Sequence, residues 1–143
     1  MTTTRIRPVE FVDDRGVMVR YVSHSRGGGL VSPAARVDAS ATVAATAYVE
    51  AGARVGQRAT IGAGSWVDHH VAVGADAVVA EHVHLGTQTR VGPGARVGSR
   101  ARVGSRVVIE PGGRVEPDGV VPEGTVVAAG RARRPGSGPV VAA

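Results

Sequence analysis

The sequence predicts an all-β protein whose short strands wind into one parallel β-helix of five to six coils, capped at its start by a β-hairpin. Three observations carry this expectation. From residue 31 an aliphatic side chain stands at every sixth position: Val31, Val37, Val43, Val49, Val55, Ile61, Val67, Val73, Val79, Leu85, Val91, Val97, Val103, Ile109, Val115, Val121 and Val127. Random placement gives such a run with a probability on the order of 10⁻¹¹. A second column lies four residues after each of these, from Ala35, Ala41 and Ala47 through Ser65, Thr89 and Val107 to Thr125, and nothing in it is larger than valine. The third observation is compositional. The 143 residues include 28 valines, 22 alanines and 21 glycines against one Phe, one Trp and two Tyr, so the interior must be built from small, mostly β-branched side chains in many copies.

Taken in order, residues 5 to 22 read as two strands, IRPVEFV and VMVRYV, around Asp13-Asp14-Arg15-Gly16, a hairpin that caps the first coil. HSRGGG, residues 24–29, reads as a flexible link, so that 1–29 forms a cap and link. Residues 30–130 carry the repeat. A period of six with one large and one small inward side chain fits neither a 3.6-residue helix nor a long alternating strand, but it fits short strands joined by tight corners. Pro33, Gly52, Gly64, Pro93, Gly94, Pro111, Gly112, Pro117 and Gly124 supply those corners. Three hexads close one triangular coil, stacked on the next at about 4.8 Å. Every aliphatic of the first column is expected to be buried. Residues 131–143 read as a basic exit segment and a loose tail.

This repeat resembles that of the hexapeptide-repeat superfamily, and the resemblance covers residues 31 to 134. It implies a left-handed coil, against the usual right-handed rule for parallel crossovers, and it implies a homotrimer. VPEGTVVAAGRARRP is similar to the closing segment of hexapeptide acyltransferases. The G-G-x-G-x-D pattern of calcium-binding β-helices is absent.

Composition narrows the chemistry. With no cysteine, disulfides, thiolate metal sites and cysteine nucleophiles are excluded. No run approaches 18 apolar residues and MTTTRIRPVE lacks the apolar stretch of a secretory signal, so a cytoplasmic protein with no membrane partner is expected. All 17 basic residues are arginine, which reads as codon usage in a GC-rich bacterial genome, and the net charge of +5 permits anionic partners without naming one. The basic positions are not interleaved with aromatics, which argues against nucleic acid.

An 18-residue coil stacks residues 18 apart and turns the sequence into outward columns. One of them is Leu30, Tyr48, Trp66, His84, Arg102, Val120. It gathers the only Trp, a Tyr and a His, followed by an Arg placed for cation–π contact, and an exposed aromatic face of this kind marks a subunit boundary. Four of the five histidines, His69, His70, His82 and His84, fall within one coil's length and flank this face, whereas His24 lies in the link and reads as solvated. Gly64-Ser65-Trp66-Val67-Asp68-His69, followed by Gly74, is similar to the G-A-x-V-D/E-H-x-x-x-x-G stretch of the sugar N-acetyltransferases of bacterial sialic acid and bacillosamine pathways. The resemblance implies that His69 is a general base. It also departs from that pattern: His70 stands where an acidic residue is usual, Val78 stands at the second histidine's place, and only about 30 residues replace the nucleotide-sugar domain. His70 and His84 are therefore further candidates, and Asp68 is a candidate orienting acid that is expected to point outward along its strand, away from His69.

Imidazole suits acetyl transfer to an amine or hydroxyl because it titrates near neutrality without tuning. Arg90, Arg96, Arg100, Arg102 and Arg106 lie on the coils immediately after the histidines, where the superfamily resemblance places the phosphates of coenzyme A. Arg90, Arg100, Arg102 and Arg106 are the candidates to bind the cofactor. The leading reading is an acyltransferase that moves an acetyl group from acetyl-CoA to a small-molecule acceptor. The alternative is a non-catalytic trimeric scaffold. A γ-carbonic-anhydrase-like metal protein ranks below both, since Gly74 stands where that family's G-H-x-x-x-x-H-G motif needs its second histidine.

Overall fold

The computed structural model describes residues 8–12, 16 and 18–129, and none of these is helical. From Leu30–Val31 to Val126–Val127, seventeen two-residue strands follow one another every six residues, making five complete coils and two strands of a sixth. In each strand the first residue points out and the second, the aliphatic of the repeat, points in. The strands pair in parallel with those 18 residues away, as in Tyr48↔Trp66, Trp66↔His84, His84↔Arg102 and Arg102↔Val120. Three flat faces result. The first runs through residues 30, 48, 66, 84, 102 and 120, the second through 36, 54, 72, 90, 108 and 126, and the third through 42, 60, 78, 96 and 114.

The aliphatic column fills the prism, with relative exposure of 9% or less at every member except Val37. Val37 is only partly buried because it sits in the first coil of the second face, with no coil below it. The small column is buried beside it from Ala41 to Gly113 and partly buried at its ends. Ser65 and Thr89 are its two buried hydroxyls, and both have a backbone task. The Ser65 hydroxyl donates to the Ala80 carbonyl (2.7 Å) and accepts from the Val83 N–H (3.1 Å). Thr89 does the same with Gly104 (2.7 Å) and Val107 (3.2 Å). Each therefore serves a valine 18 residues on, at a corner where no turn hydrogen bond takes up the valine N–H. Ser65→Ala and Thr89→Val should each cost about 1–3 kcal/mol, read as a lower urea midpoint, since a buried N–H and C=O lose their partner. A loss no greater than that of an exposed Thr→Ala control would contradict this role.

The corners use more than Gly and Pro. From Gly52 to Gly124, the third residue after every aliphatic has positive φ, and eight of these thirteen are not glycine: Arg58, His70, Asp76, His82, Gln88, Arg100, Arg106 and Asp118. The left-handed conformation costs a non-Gly residue roughly 1–2 kcal/mol. Hydrogen bonds to the preceding coil offset it, because the corner N–H donates to a carbonyl there, as from His70 to Ala51, His82 to Ala63 and Arg100 to Glu81.

The N-terminal cap is a hairpin of β1 (Pro8–Val12) and β2 (Met18–Ser23), and β2 continues the first face by pairing antiparallel with β3 (Leu30–Val31). Asp13, Asp14 and Arg15 of its turn lie outside the described residues. The segment expected to be a flexible link is instead an ordered edge to the third face. The Val43 N–H donates to the Arg26 carbonyl and the Gly29 N–H to the Val43 carbonyl, and Gly28 bridges Ala44. Glycine is required there, since a Cβ on Gly27, whose φ is +98°, would lie 2.2 Å from the Val43 oxygen. His24 is likewise not a free surface residue, for its Nε2 lies 2.8 Å from the Ala41 carbonyl oxygen. The expected exit segment and tail, 131–143, lie outside the described residues.

Candidate active site

The first face gathers the aromatic side chains of the helix together with Glu50, Asp68, His69 and His84. Its outward side chains reach back to the coil before them, where the chain turns off the face. Trp66 donates its indole N–H to Glu50 at 2.8 Å, and the Tyr21 hydroxyl of the hairpin donates to the other Glu50 oxygen at 2.7 Å. Tyr21 also packs edge-on against Tyr48, with ring centroids 5.4 Å apart. Burial and the Glu50 carboxylate together push the Tyr21 phenol above its ordinary pKa, so its proton stays in this bond. Glu50 thus ties the cap to the aromatic column.

One coil on, the arrangement recurs with different chemistry. His84 stacks on Trp66, with centroids 4.4 Å apart and planes 20° from parallel, and its Nε2 lies 3.1 Å from Asp68 Oδ2. The other Asp68 oxygen meets His69 Nδ1 at 2.8 Å and accepts the His69 N–H at 2.7 Å. Asp68 was expected to point away from His69. It turns back instead, because a short acidic side chain at a corner can accept a neighbouring backbone N–H. Burial raises the Asp68 pKa, but the hydrogen bonds from the His69 ring and N–H and from His84 outweigh it, and the pKa falls below the ordinary aspartate value. Its stabilising contribution is present above an ordinary aspartate pKa of about 3.9 and is lost as the pH falls through the lowered value. An ionised carboxylate only accepts hydrogen bonds, so His69 carries a hydrogen on Nδ1 and its Nε2 is turned away from Asp68. The His69 side chain is 50% exposed and that of His84 41%, while Asp68 between them is 15% exposed.

The remaining histidines occupy corners. His70 and His82 both have positive φ, and their rings lie over glycines of the preceding coil, so closely that a Cβ on Gly52 or Gly64 would lie 2.3 Å from the ring nitrogen. His70 therefore stands apart from the Asp68 cluster. His82 lines a groove of about 510 Å³ with Gly64, Trp66, His84, Arg100, Arg102, Asp118 and Val120.

The arginines are less gathered than their sequence spacing suggests. Arg100, Arg102 and Arg106 cross the first face from one corner to the other, Arg90 lies on the second face and Arg96 on the third. Arg100 is paired with Asp118 at 2.8 Å, and Arg106 is paired with Glu123. The ring nearest His84 is that of Trp66, and among the described residues no cation–π contact of Arg102 accompanies that stack. No three His, Cys, Asp or Glu side chains among the described residues are arranged to hold a metal ion. No helix among them is long and apolar enough to cross a membrane. Sequence reasoning missed Glu50 and Tyr21. The signal for Glu50 is its distance of 16 residues from Trp66, which Asp68 repeats with His84.

No family model and no curated protein matches the sequence. Solved structures do. A histidine-to-alanine variant of GDP-perosamine N-acetyltransferase from Caulobacter crescentus, in complex with CoA and GDP-perosamine, superimposes with a TM-score of 0.68 at 28% identity, over 69% of this chain and 47% of that one. A histidine-to-asparagine variant of perosamine N-acetyltransferase from the same organism, with the same ligands, gives 0.67 at 26% identity over the same shares. The chain thus spans about half the length of these enzymes. It is a parallel β-helix built on a six-residue repeat, similar in structure to these sugar N-acetyltransferases.

Proposed function

We propose that the protein transfers an acetyl group from acetyl-CoA to a small-molecule acceptor, with His69 as general base. The observation that supports this best is the His69–Asp68–His84 cluster, set on the exposed face of a β-helix similar to CoA-bound N-acetyltransferases. Acetyl-CoA supplies the acetyl group as a thioester. His69 Nε2 takes the proton that the acceptor amine or hydroxyl loses as it bonds to the acetyl carbon, and returns that proton to the sulfur as the C–S bond breaks. Asp68 holds the His69 ring and stabilises its charged form, and His84 anchors the far carboxylate oxygen. His84, on the same carboxylate, and His70, turned over Gly52, are the reserve candidates.

Arg90, Arg100 and Arg106 are assigned to the phosphates of CoA. The exposed pairs Arg100–Asp118 and Arg106–Glu123 do not prevent this, because such pairs are worth about 0–1 kcal/mol and a phosphate competes with them. Tyr48 and Trp66, exposed by 37% and 43%, leave an aromatic patch beside His84, which supports a homotrimer with this face at or beside the subunit boundary. A cytoplasmic location fits a CoA-dependent enzyme. Calorimetry with acetyl-CoA tests the proposal: binding at low salt that weakens as salt rises is expected, and no binding would favour the trimeric scaffold.

A further inference from the structure

The register of the first face points to a class of acceptor. Two successive outward donors of this face meet a carboxylate sixteen residues earlier: Trp66 meets Glu50 at 2.8 Å, and His84 meets Asp68 at 3.1 Å. The next donor is Arg102, and the residue sixteen before it is Gly86. The strongest donor of the column therefore has no carboxylate where its two predecessors have one, and among the described residues Arg102 forms no ion pair. An open cavity of about 260 Å³ lies there instead, lined by Arg102, Gly86, Ser105, Asp68, His84 and Glu123 among others.

The charges around this cavity select its occupant. Asp68 is shared by two imidazoles and Glu123 is engaged by Arg106, so the Arg102 guanidinium is the cation left without a counter-charge. The two flanking carboxylates oppose a dianion such as a phosphate monoester more than a single negative charge. A planar carboxylate matches the guanidinium fork, and Ser105, whose hydroxyl lies 3.5 Å from that of Thr87, lines the same cavity. We propose that this cavity binds the carboxylate of the acceptor, in the place the repeat leaves at Gly86, and that the acceptor is an amino or hydroxy acid whose reacting group lies towards His84 and His69. The assignment of the occupant as acceptor rests on the acetyltransferase reading, and it gives Arg102 to the acceptor and leaves the other arginines to CoA.

The test uses the full chain and two matched pairs of probes, L-serine with L-serinamide and D-glucosamine with its C6-carboxylate counterpart. Binding is followed without acetyl-CoA through the Arg102 Nε–H and His84 resonances, and acetylation is then followed by thiol release. The carboxylate member of each pair is expected to bind about tenfold more tightly than its neutral partner, and the preference should vanish in Arg102→Gln while the spectrum otherwise stays folded. Arg102→Lys should retain part of it. Equal binding of the neutral probes, a preference that survives Arg102→Gln, or no response to any carboxylate would overturn the site. Carboxylate binding with no transfer would keep the site and refute the acetyltransferase, whereas transfer to neutral acceptors unaffected by Arg102→Gln would refute the site and keep the enzyme.

Discussion

Replacing His69 with alanine is expected to lower acetyl transfer by about 10²–10⁴-fold, the range a positioned general base supplies, while acetyl-CoA affinity and the far-UV spectrum remain those of the wild type. The separation follows from where the side chain sits. His69 projects from a corner, half exposed, and its ring bonds only to Asp68, so its removal leaves the Val/Ala interior untouched. Asp68→Asn tests the same unit from behind. An amide oxygen accepts more weakly than a carboxylate and carries no charge to stabilise an imidazolium, so both histidines lose their orientation and kcat should fall with little change in KM. Single-turnover thiol release separates these effects from product release. Full turnover in His69→Ala would move the base to His84, which shares the carboxylate from its other side.

Leu85→Ala should be among the most destabilising single truncations in the repeat, at about 2–5 kcal/mol. Leu85 is fully buried, is among the largest buried side chains of the prism, and pairs in register with Val67 below and Val103 above. The wall around it is made of hydrogen-bonded coils at fixed spacing and cannot collapse inward to fill the void. Because Leu85 follows His84 on the same strand, the damage should reach the site as a loosened His84–Trp66 stack, visible in Trp66 fluorescence. A midpoint shift in urea corresponding to less than about 1 kcal/mol would show that the coil accommodates the loss.

What the residues disclose in advance depends on whether it repeats. Period six alone determines the inward columns, and period eighteen places Trp66 under His84 and His84 under Arg102, as the strand pairing shows. The details that escape are those decided by single torsions or by the parts outside the period. Asp68 turns back to His69 because of one corner rotamer, which no spacing encodes. Tyr21 reaches Glu50 only because β2 extends the first face antiparallel to β3, and the hairpin does not follow the six-residue repeat. The Gly27–Gly29 stretch has the composition of a linker, yet its glycines serve contact with Val43, a distinction visible only once both segments are placed. The left-handed corners at Arg58, Gln88 and Arg106 belong to the same group, since those residue types rarely adopt positive φ.

The two periods also divide what the chain can tolerate in length. A six-residue deletion between Trp66 and His84 would keep every later aliphatic inside the prism, and the fold would survive by the logic of its core. It would nevertheless carry His84, Arg102 and Val120 together round one edge onto a neighbouring face, away from Trp66 and Asp68. Only a change of eighteen residues is silent in both senses. The architecture behaves like a message with a short reading frame for folding and one three times longer for chemistry, and insertions that the first frame accepts can erase the second.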